Sequence, residues 1–246
     1  MKLYSSIKPL KIIQITNENQ DTSYFTYDGL NPIMIKSDNQ RIEFEYQSNK
    51  LIKEKVYREG DNIPWLFRGF EYNSQNKIEK VSYNINVNST VENWFGEKID
   101  SFRLSAFYSY VYEDNKVTKE LHFGNSTTDT ISYSIINYDL NENIISKIGY
   151  THFVDDLVKN KVQKYEYGSK HHYYPNINYP VYGKIFSRIN NILFEDEIKY
   201  ILHWDNESGT KVMDSTMTTK NYSISYNEFD YPTIISSDDE TLIIEY

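Results

Sequence analysis

The sequence predicts an all-β fold, in which one antiparallel meander of roughly a dozen or more strands curls into an open barrel or half-barrel. Aromatic residues that suit a half-buried sheet are abundant, with 24 Tyr and 12 Phe against 9 Gly and 6 Pro in 246 residues. Short runs of alternating apolar and polar residues are separated by turn-forming Asn, Asp, Ser and Gly. Hairpin-sized motifs also recur along the chain.

One hairpin motif occurs near both ends of the chain, as PIMIKSDNQRIEFEY from Pro32 to Tyr46 and as PTIISSDDETLIIEY from Pro232 to Tyr246. Each copy predicts a short strand, a polar turn and a second strand. The matched positions are Pro32/Pro232, Ile35/Ile235, Ser37/Ser237, Asp38/Asp238, Glu45/Glu245 and Tyr46/Tyr246. The two copies indicate that the chain is built by repeating a hairpin.

Residues 10–58 predict five strands whose connections are short enough for an antiparallel meander. The five runs are Leu10 to Ile15, Ser23 to Tyr27, Ile33 to Lys36, Ile42 to Tyr46 and Leu51 to Tyr57.

A second repeat begins with an aromatic residue and passes through a polar turn into the pattern Asn-x-[Leu/Ile/Val]-x-Lys. It occurs at Asn49 to Lys53, Asn76 to Lys80, Asn115 to Lys119 and Asn143 to Lys147. Asn tolerates the left-handed backbone of a tight hairpin. We expect the aliphatic residue to face the core and the lysine to lie on the same face, near the sheet rim.

The chain is expected to form a single domain over residues 1–246, with hairpin repeats over 22–160 and closing hairpins over 191–246. Residues 84–101, which hold Trp94, predict an inserted loop.

Between His171 and Asn190, clustered aromatic residues and two Pro fit no period of two. A long connection across one face or mouth of the sheet is therefore expected there, with one helical turn over Val181 to Arg188. Strand patterns resume at Ile192 to Leu193, Ile198 to Trp204, Lys211 to Met217 and Tyr222 to Tyr226.

Composition excludes several functions. A net charge of −9 disfavours nucleic-acid and membrane-surface partners. The absence of Cys excludes disulfides, thiolate zinc sites and cysteine nucleophiles. No apolar run approaches the ~18 residues of a membrane-spanning helix. The phosphate-loop and dinucleotide fingerprints are missing, so no cofactor is predicted, and we expect a monomer.

The Tyr-Asp and Tyr-Asn turns resemble the YD repeats of Rhs-type proteins. Over residues 22–246, the order of parts is similar to a family of Bacteroidota cell-envelope proteins of lipoprotein type. Those proteins carry YD-like hairpins, an Asn-Pro-aromatic connection, a Ser-to-Asn-Asn step and a Tyr-x-x-x-Gly-Tyr-Pro hairpin. The counterparts here are Tyr174-Pro175-Asn176, Ser187 to Asn191, and Tyr226 to Pro232, in which Asp230 takes the place of Gly.

This resemblance implies a curved antiparallel sheet of porin-like shape and a periplasmic or cell-surface location. It supplies no catalytic residues. The given chain shows no signal peptide, so a cytoplasmic location stays open.

Three motifs have a simple structural explanation. Asp139 to Asn143 matches the start of a calcium loop but lacks the Gly and bidentate Glu that an EF-hand needs, so a hairpin turn is expected. The acidic clusters at 155–156, 195–197 and 238–240 lie in turn-like segments and are expected to be solvated. His122, His152 and His203 show no Ser-His-Asp arrangement.

Aromatic residues are the candidate binding groups, because exposed rings can stack on sugars or pack against a protein partner. The alternative is ordinary core and rim packing. The candidates are Trp65, Trp94, His172, Tyr173, Tyr174 and Trp204.

The first hypothesis is therefore a non-enzymatic binding module of the bacterial cell envelope that recognises a protein or glycan through an aromatic surface. The second is an immunity or adaptor protein whose acidic charge suits a basic protein partner. The third is a glycan-acting hydrolase, which requires two carboxylates in one cleft.

Overall fold

The computed structural model describes residues 8–86, 102–114, 116–125, 130–141, 143–153, 156–171, 190–205, 208 and 210–246. These residues form 17 β-strands in one sheet, and none of them lies in a helix. The strands are β1 Lys11–Thr16, β2 Gln20–Asp28, β3 Asn31–Lys36, β4 Gln40–Gln47, β5 Lys50–Arg58, β6 Leu66–Tyr72, β7 Ile78–Asn86, β8 Phe102–Glu113, β9 Lys116–Phe123, β10 Thr130–Tyr138, β11 Ile144–Phe153, β12 Asp156–His171, β13 Asn190–Asp205, β14 Thr210–Asn221, β15 Ser223–Tyr226, β16 Pro232–Ser236 and β17 Glu240–Glu245.

The strands follow one another as an antiparallel meander, and the meander returns to its start. β1 pairs with β2 on one side and with β17 on the other, with Lys11 opposite Glu245. β14 and β15 are one strand that continues through Tyr222, pairing first with β13 and then with β16. The predicted all-β curved meander is confirmed, and its shape is a nearly closed barrel.

The five strands predicted over residues 10–58 are confirmed as β1 to β5. The two short runs predicted within 192–204 are wrong, because the chain forms one strand, β13, through the charged residues between them. β7 extends to Asn86, into the predicted inserted loop. Residues 87–101 and 172–189, with the predicted helical turn, lie outside the described residues.

A β-bulge beside a tyrosine is the recurring feature of the hairpins. The bulge places two residues of one strand opposite one residue of the other, which bends and twists the ribbon. Register shifts of this kind fall beside Tyr27, Tyr46, Tyr72, Tyr112, Tyr138 and Tyr226. We call the end of the sheet at which these hairpins turn the turn end.

Each of these tyrosines except Tyr226 reaches from its own hairpin to the backbone of the preceding one. The Tyr72 hydroxyl donates to the carbonyl of Leu51 at 2.9 Å, and Tyr112 donates to Ile78 at 2.6 Å. The other donor and acceptor pairs in this set are Tyr27 to Pro9, Tyr46 to Pro32 and Tyr138 to Val117. Tyr246, which follows β17, donates in the same way to Pro232. The matched Pro and Tyr positions of the two motif copies are therefore the two ends of one hydrogen bond.

An apolar layer lies at the turn end. Opposite the tyrosines of four hairpins stand Leu51, Ile78, Val117 and Ile144, which are between 1% and 5% exposed. They pack in one cluster with Phe44, Phe70 and Val81. Burying such side chains stabilises the fold by about 1.5–3 kcal/mol each. We call the face that carries this cluster the core face.

The prediction that the repeat lysine lies on the core face is wrong at Lys53, Lys80 and Lys119, the last of which stands opposite the exposed Val111. The bulge inserts one residue after the aliphatic position, so that Leu51 lies on the core face while Lys53 stands opposite Glu45 on the other face. Lys80 likewise forms an ion pair with Glu71 at 2.9 Å.

The left-handed backbone predicted for the turn asparagines is confirmed at Asn49, with a φ of 61°, and at Asn76, with a φ of 62°, and is wrong at Asn143, whose φ is not positive. Asp230, which takes the place of Gly in the final hairpin, also has a φ of 62°.

Replacing Asn76 tests this requirement. Asn76→Ala is expected to lower the free energy of unfolding by about 1 kcal/mol more than Asn76→Gly, because Ala is strained at positive φ and Gly is not. Both variants lose the hydrogen bond from Lys50 to the Asn76 side chain, so their difference isolates the backbone. Urea unfolding measures it, and equal stabilities would contradict the assignment.

The half-buried tyrosines predict alkaline unfolding. Burial raises the pKa of Tyr72, Tyr112 and Tyr138 to about 12, from an ordinary value of about 10. Between these values the unfolded chain releases tyrosine protons that the folded chain retains, so stability falls as pH rises.

Urea midpoints should therefore be insensitive to these groups below pH ~10 and fall between pH ~10 and ~12. The triple Tyr→Phe variant at these positions should have a shallower fall in the same range. A fall as steep as that of the parent would show that other groups cause it.

Candidate functional site

Away from the turn end, the core face changes from apolar to polar. Charged and amide side chains on neighbouring strands form what we call the polar belt. Its members are Glu54, Arg68, Glu120, Lys147, Lys161, Gln163, Glu195, Glu197 and Lys199.

The belt begins with an ion pair between Glu54 on β5 and Arg68 on β6, which stand opposite each other. The Glu54 side chain is fully buried, and the Arg68 guanidinium also lies 5.7 Å from the centre of the Tyr83 ring. A buried carboxylate needs such a partner, because desolvation disfavours an isolated charge.

The belt continues with a second ion pair, 2.8 Å between Glu120 and Lys147. Lys147 lies on the core face because Ile145, two positions before it, is the bulged and exposed residue of its hairpin. Further along, Lys161 and Lys199 both contact Glu197. Burial raises the pKa of Glu197, but these two lysines outweigh burial and hold it below its ordinary value.

A cavity of about 210 Å³ opens in the polar belt between β8 and β12. We call it the core-face cavity. The residues that line it are Tyr108, Glu120, His122, Ser132, Tyr133, Ser134, Lys147, Gly149, Tyr150, Asn160, Lys161 and Gln163.

Small side chains create this cavity. Ser134 on β10 stands between Glu120 on β9 and Gly149 on β11. Ser134 is small and Gly149 has no side chain, so space is left above them, whereas the surrounding residues of the polar belt have long side chains. Ser132 lies two residues from Ser134 on the same face, opposite His122.

Stacked rings form one wall of the cavity. Tyr108 and His122 are parallel, with ring centres 4.6 Å apart, and Tyr83 meets Tyr108 edge-on at 5.5 Å. Burial, with Tyr83 and Glu120 nearby, raises the pKa of Tyr108. His122 Nδ1 lies 3.2 Å from the Ser132 hydroxyl, which orients the imidazole.

Asn160 on β12 supplies an unused polar atom. It sits at a bulge between β11 and β12, where its side chain occupies the space a β-carbon would fill at Gly149. Its Oδ1 is buried and accepts no hydrogen bond from the part of the chain that the structure describes. Buried acceptors normally have a donor, so this atom is placed to meet a ligand or water.

The cavity therefore offers an aromatic wall, hydroxyls, two amides and the Glu120–Lys147 ion pair in a concave site. It is smaller than the 300–1,000 Å³ typical of drug-sized ligands. It fits one small polar group.

Of the aromatic candidates from the sequence, Trp65 can be compared with this cavity and does not line it. Trp65 is half-buried in the connection after β5, with the Arg58 guanidinium 5.4 Å from its ring. Trp204 is described only in its backbone, near the end of β13. Both lie away from the turn end, whereas His171 ends its strand at the turn end. Trp94, His172, Tyr173 and Tyr174 lie outside the described residues.

Three acidic predictions can be checked, and the solvated turn at Asp238 and Asp239 is confirmed, since both residues are exposed between β16 and β17. Asp139 forms a hairpin turn as predicted, its carboxylate accepting backbone hydrogen bonds from Asn141 and Asn143 at 2.8 Å. The expectation that residues 195–197 form a turn is wrong, because Glu195 and Glu197 lie within β13 on the core face. In the described ranges, no three His, Asp or Glu side chains group in a way that could hold a metal ion.

Sequence reasoning missed the cavity residues, including Glu120, Ser134, Asn160 and Gln163. The available signal was that these strands are polar at positions where other strands of the meander carry Phe or Ile. This signal can be recognised only when the strand register is known, because each bulge reverses which residues face the core beyond it.

Solved structures share this architecture. A porin-like protein from Bacteroides uniformis is 10% identical, has a TM-score of 0.55 and matches over 98% of both chains. A porin-like protein from Bacteroides vulgatus is 9% identical, with a TM-score of 0.57 over 98% of this chain and 99% of that one. At such low identity the likeness shows the fold alone. No protein-family model and no curated protein matches the chain.

The fold class that these features define is thus a nearly closed, porin-like antiparallel sheet with a polar cavity on its core face. No helix within the described segments has the length and apolarity needed to cross a membrane.

Removing Arg68 tests the start of the polar belt. Arg68→Met is expected to cost about 3–5 kcal/mol of unfolding free energy, because it leaves the Glu54 carboxylate buried without its cation. The double variant Glu54→Leu with Arg68→Met should recover most of that loss. Chemical denaturation measures both, and a small loss in the single variant would mean that water reaches Glu54.

Proposed function

We propose that this protein is a non-enzymatic binding module of the bacterial cell envelope, and that it recognises a glycan through the core-face cavity. The observation that carries the proposal is that one cavity is lined by the stacked pair Tyr108 and His122 and by Asn160, whose buried side-chain oxygen has no hydrogen-bond partner among the described residues. A sugar ring presents C–H groups that pack on an aromatic face and hydroxyls that need both donors and acceptors.

The composition of the cavity supports a neutral sugar. Glu120 is the one carboxylate among the described residues that line the cavity. It is paired with Lys147, so the charges of this pair largely offset each other. Lys161 is likewise paired with Glu197. What stays available is the set of hydroxyl, amide and aromatic groups, which suits an uncharged polar ligand.

The same set supports binding over catalysis. Glycoside hydrolysis uses two carboxylates across the scissile bond, and the described part of the cavity wall carries one. His122 contacts Ser132, but none of its described contacts is with a carboxylate that would complete a catalytic triad.

A periplasmic or cell-surface location is part of the proposal. It rests on the resemblance of the hairpin order to Bacteroidota envelope proteins and on the porin-like fold. Fractionation of cells that express the full gene tests it, since recovery in the cytosol would count against it.

The second candidate, an adaptor that binds a basic protein, rests on the net charge of −9. Many described acidic side chains are already paired with lysine or arginine of the same chain, as at Glu45, Glu71 and Asp239. Salt-sensitive co-purification with a basic partner would favour this candidate over the glycan.

A glycan array followed by calorimetry tests the proposal. Tyr108→Ala is expected to weaken binding of the selected sugar by ten-fold or more, because it removes one ring of the stacked pair that forms the aromatic wall. Ser134→Leu should abolish binding by filling the cavity, with little change in melting temperature.

Ser225→Leu is the matched control, since it adds the same side chain at an exposed serine of the same sheet. Sugar binding that survives Ser134→Leu would place the site elsewhere, for example at Trp65. An array with no binding would remove the glycan proposal.

A further inference from the structure

Among the described residues, the outer edge of β14 has no paired strand over most of its length. The strand continues into β15, where Ser223 to Tyr226 pair with β16, but no described strand pairs with its outer side between Lys211 and Thr219. Most residues of β14 are exposed, including Met213 at 48% and Met217 at 61%.

Hydrogen-bond alternation fixes which groups this edge presents. Tyr222 donates its backbone N–H to Leu193 of β13, and the register continues without a shift to Thr210. The backbone N–H and C=O groups of the even-numbered residues of β14 therefore form the hydrogen bonds to β13. The backbone groups and side chains that point away from the core belong to Lys211, Met213, Ser215, Met217 and Thr219.

The edge lacks several of the features that usually block pairing. β14 contains no Pro, no Gly and no bulge. Its lysines are engaged within the chain, Lys211 with Asp156 and Lys220 with Asp239.

We propose that β14 is a self-association edge, at which two copies of this chain pair antiparallel about a two-fold axis through Ser215. Ser215 is the midpoint of the open stretch, so this register uses the whole edge. It places Met213 opposite Met217 of the second copy and Lys211 opposite Thr219, with no like charges face to face. The pairing is independent of the glycan proposal.

A charge-swap experiment tests the pairing by sedimentation velocity over a concentration series. The parent chain is expected to form a concentration-dependent dimer. Met213→Lys with Met217→Lys places like charges directly opposite at two points and should raise the dissociation constant at least ten-fold. Met213→Lys with Met217→Glu alters the same positions but places opposite charges together, so it should retain the dimer.

Disulfide trapping tests the register. The chain has no Cys, so Ser215→Cys can crosslink only to itself in a second copy. Directly paired residues in this geometry have Cα atoms about 5.5 Å apart, within disulfide range. Thr216→Cys, on the core face, should crosslink poorly.

A parent chain that stays monomeric at all concentrations would overturn the proposal. Dimers that resist the Lys/Lys variant, or crosslink at 216 and not at 215, would also overturn it.

Discussion

The bond from a tyrosine hydroxyl to the carbonyl of the preceding hairpin is the constraint on which this sheet depends. A half-buried phenol needs an acceptor, and a carbonyl beside a bulge needs a donor, so the two satisfy each other. Tyr112 and Ile78 show the geometry at 2.6 Å. Because each such bond joins one hairpin to the one before, the bulges that twist the strands stay aligned along the turn end, and the meander curves in one direction.

This arrangement divides the core face into two zones. Each repeat places a bulge, a tyrosine and an opposite aliphatic residue at the turn end. These side chains fill that part of the core face, which is therefore apolar. Farther along, the curved sheet no longer brings large apolar residues together, and charges replace them. Glu120 and Lys147 are tolerated there because they pair with each other. The cavity lies in this second zone, where the repeated unit no longer dictates the side chain.

The strands could be predicted from the sequence because their signals are local. The Pro-to-Tyr spacing marks two hairpins and the turn asparagines mark four, in each case without reference to the rest of the chain. The side-chain faces could not be predicted, because a bulge adds one residue without leaving a clear mark and reverses the alternation beyond it. Lys53 was placed on the wrong face for this reason, and β13 was divided because Glu195 and Glu197 interrupt its apolar pattern although their neighbours satisfy them.

The residues that line the cavity could not be predicted from the sequence for a related reason. Ser134 and Gly149 are neighbours only through the register of β10 with β11, and Asn160 joins them only because a bulge shifts β12. None of these residues takes part in the tyrosine bonds that hold the hairpins together. The shared architecture at about 10% identity to solved porin-like proteins is consistent with this separation. If the tyrosine bonds define the fold, then the second zone is free to vary, and the specificity of the proposed glycan binding should reside in the core-face residues of β8 to β12.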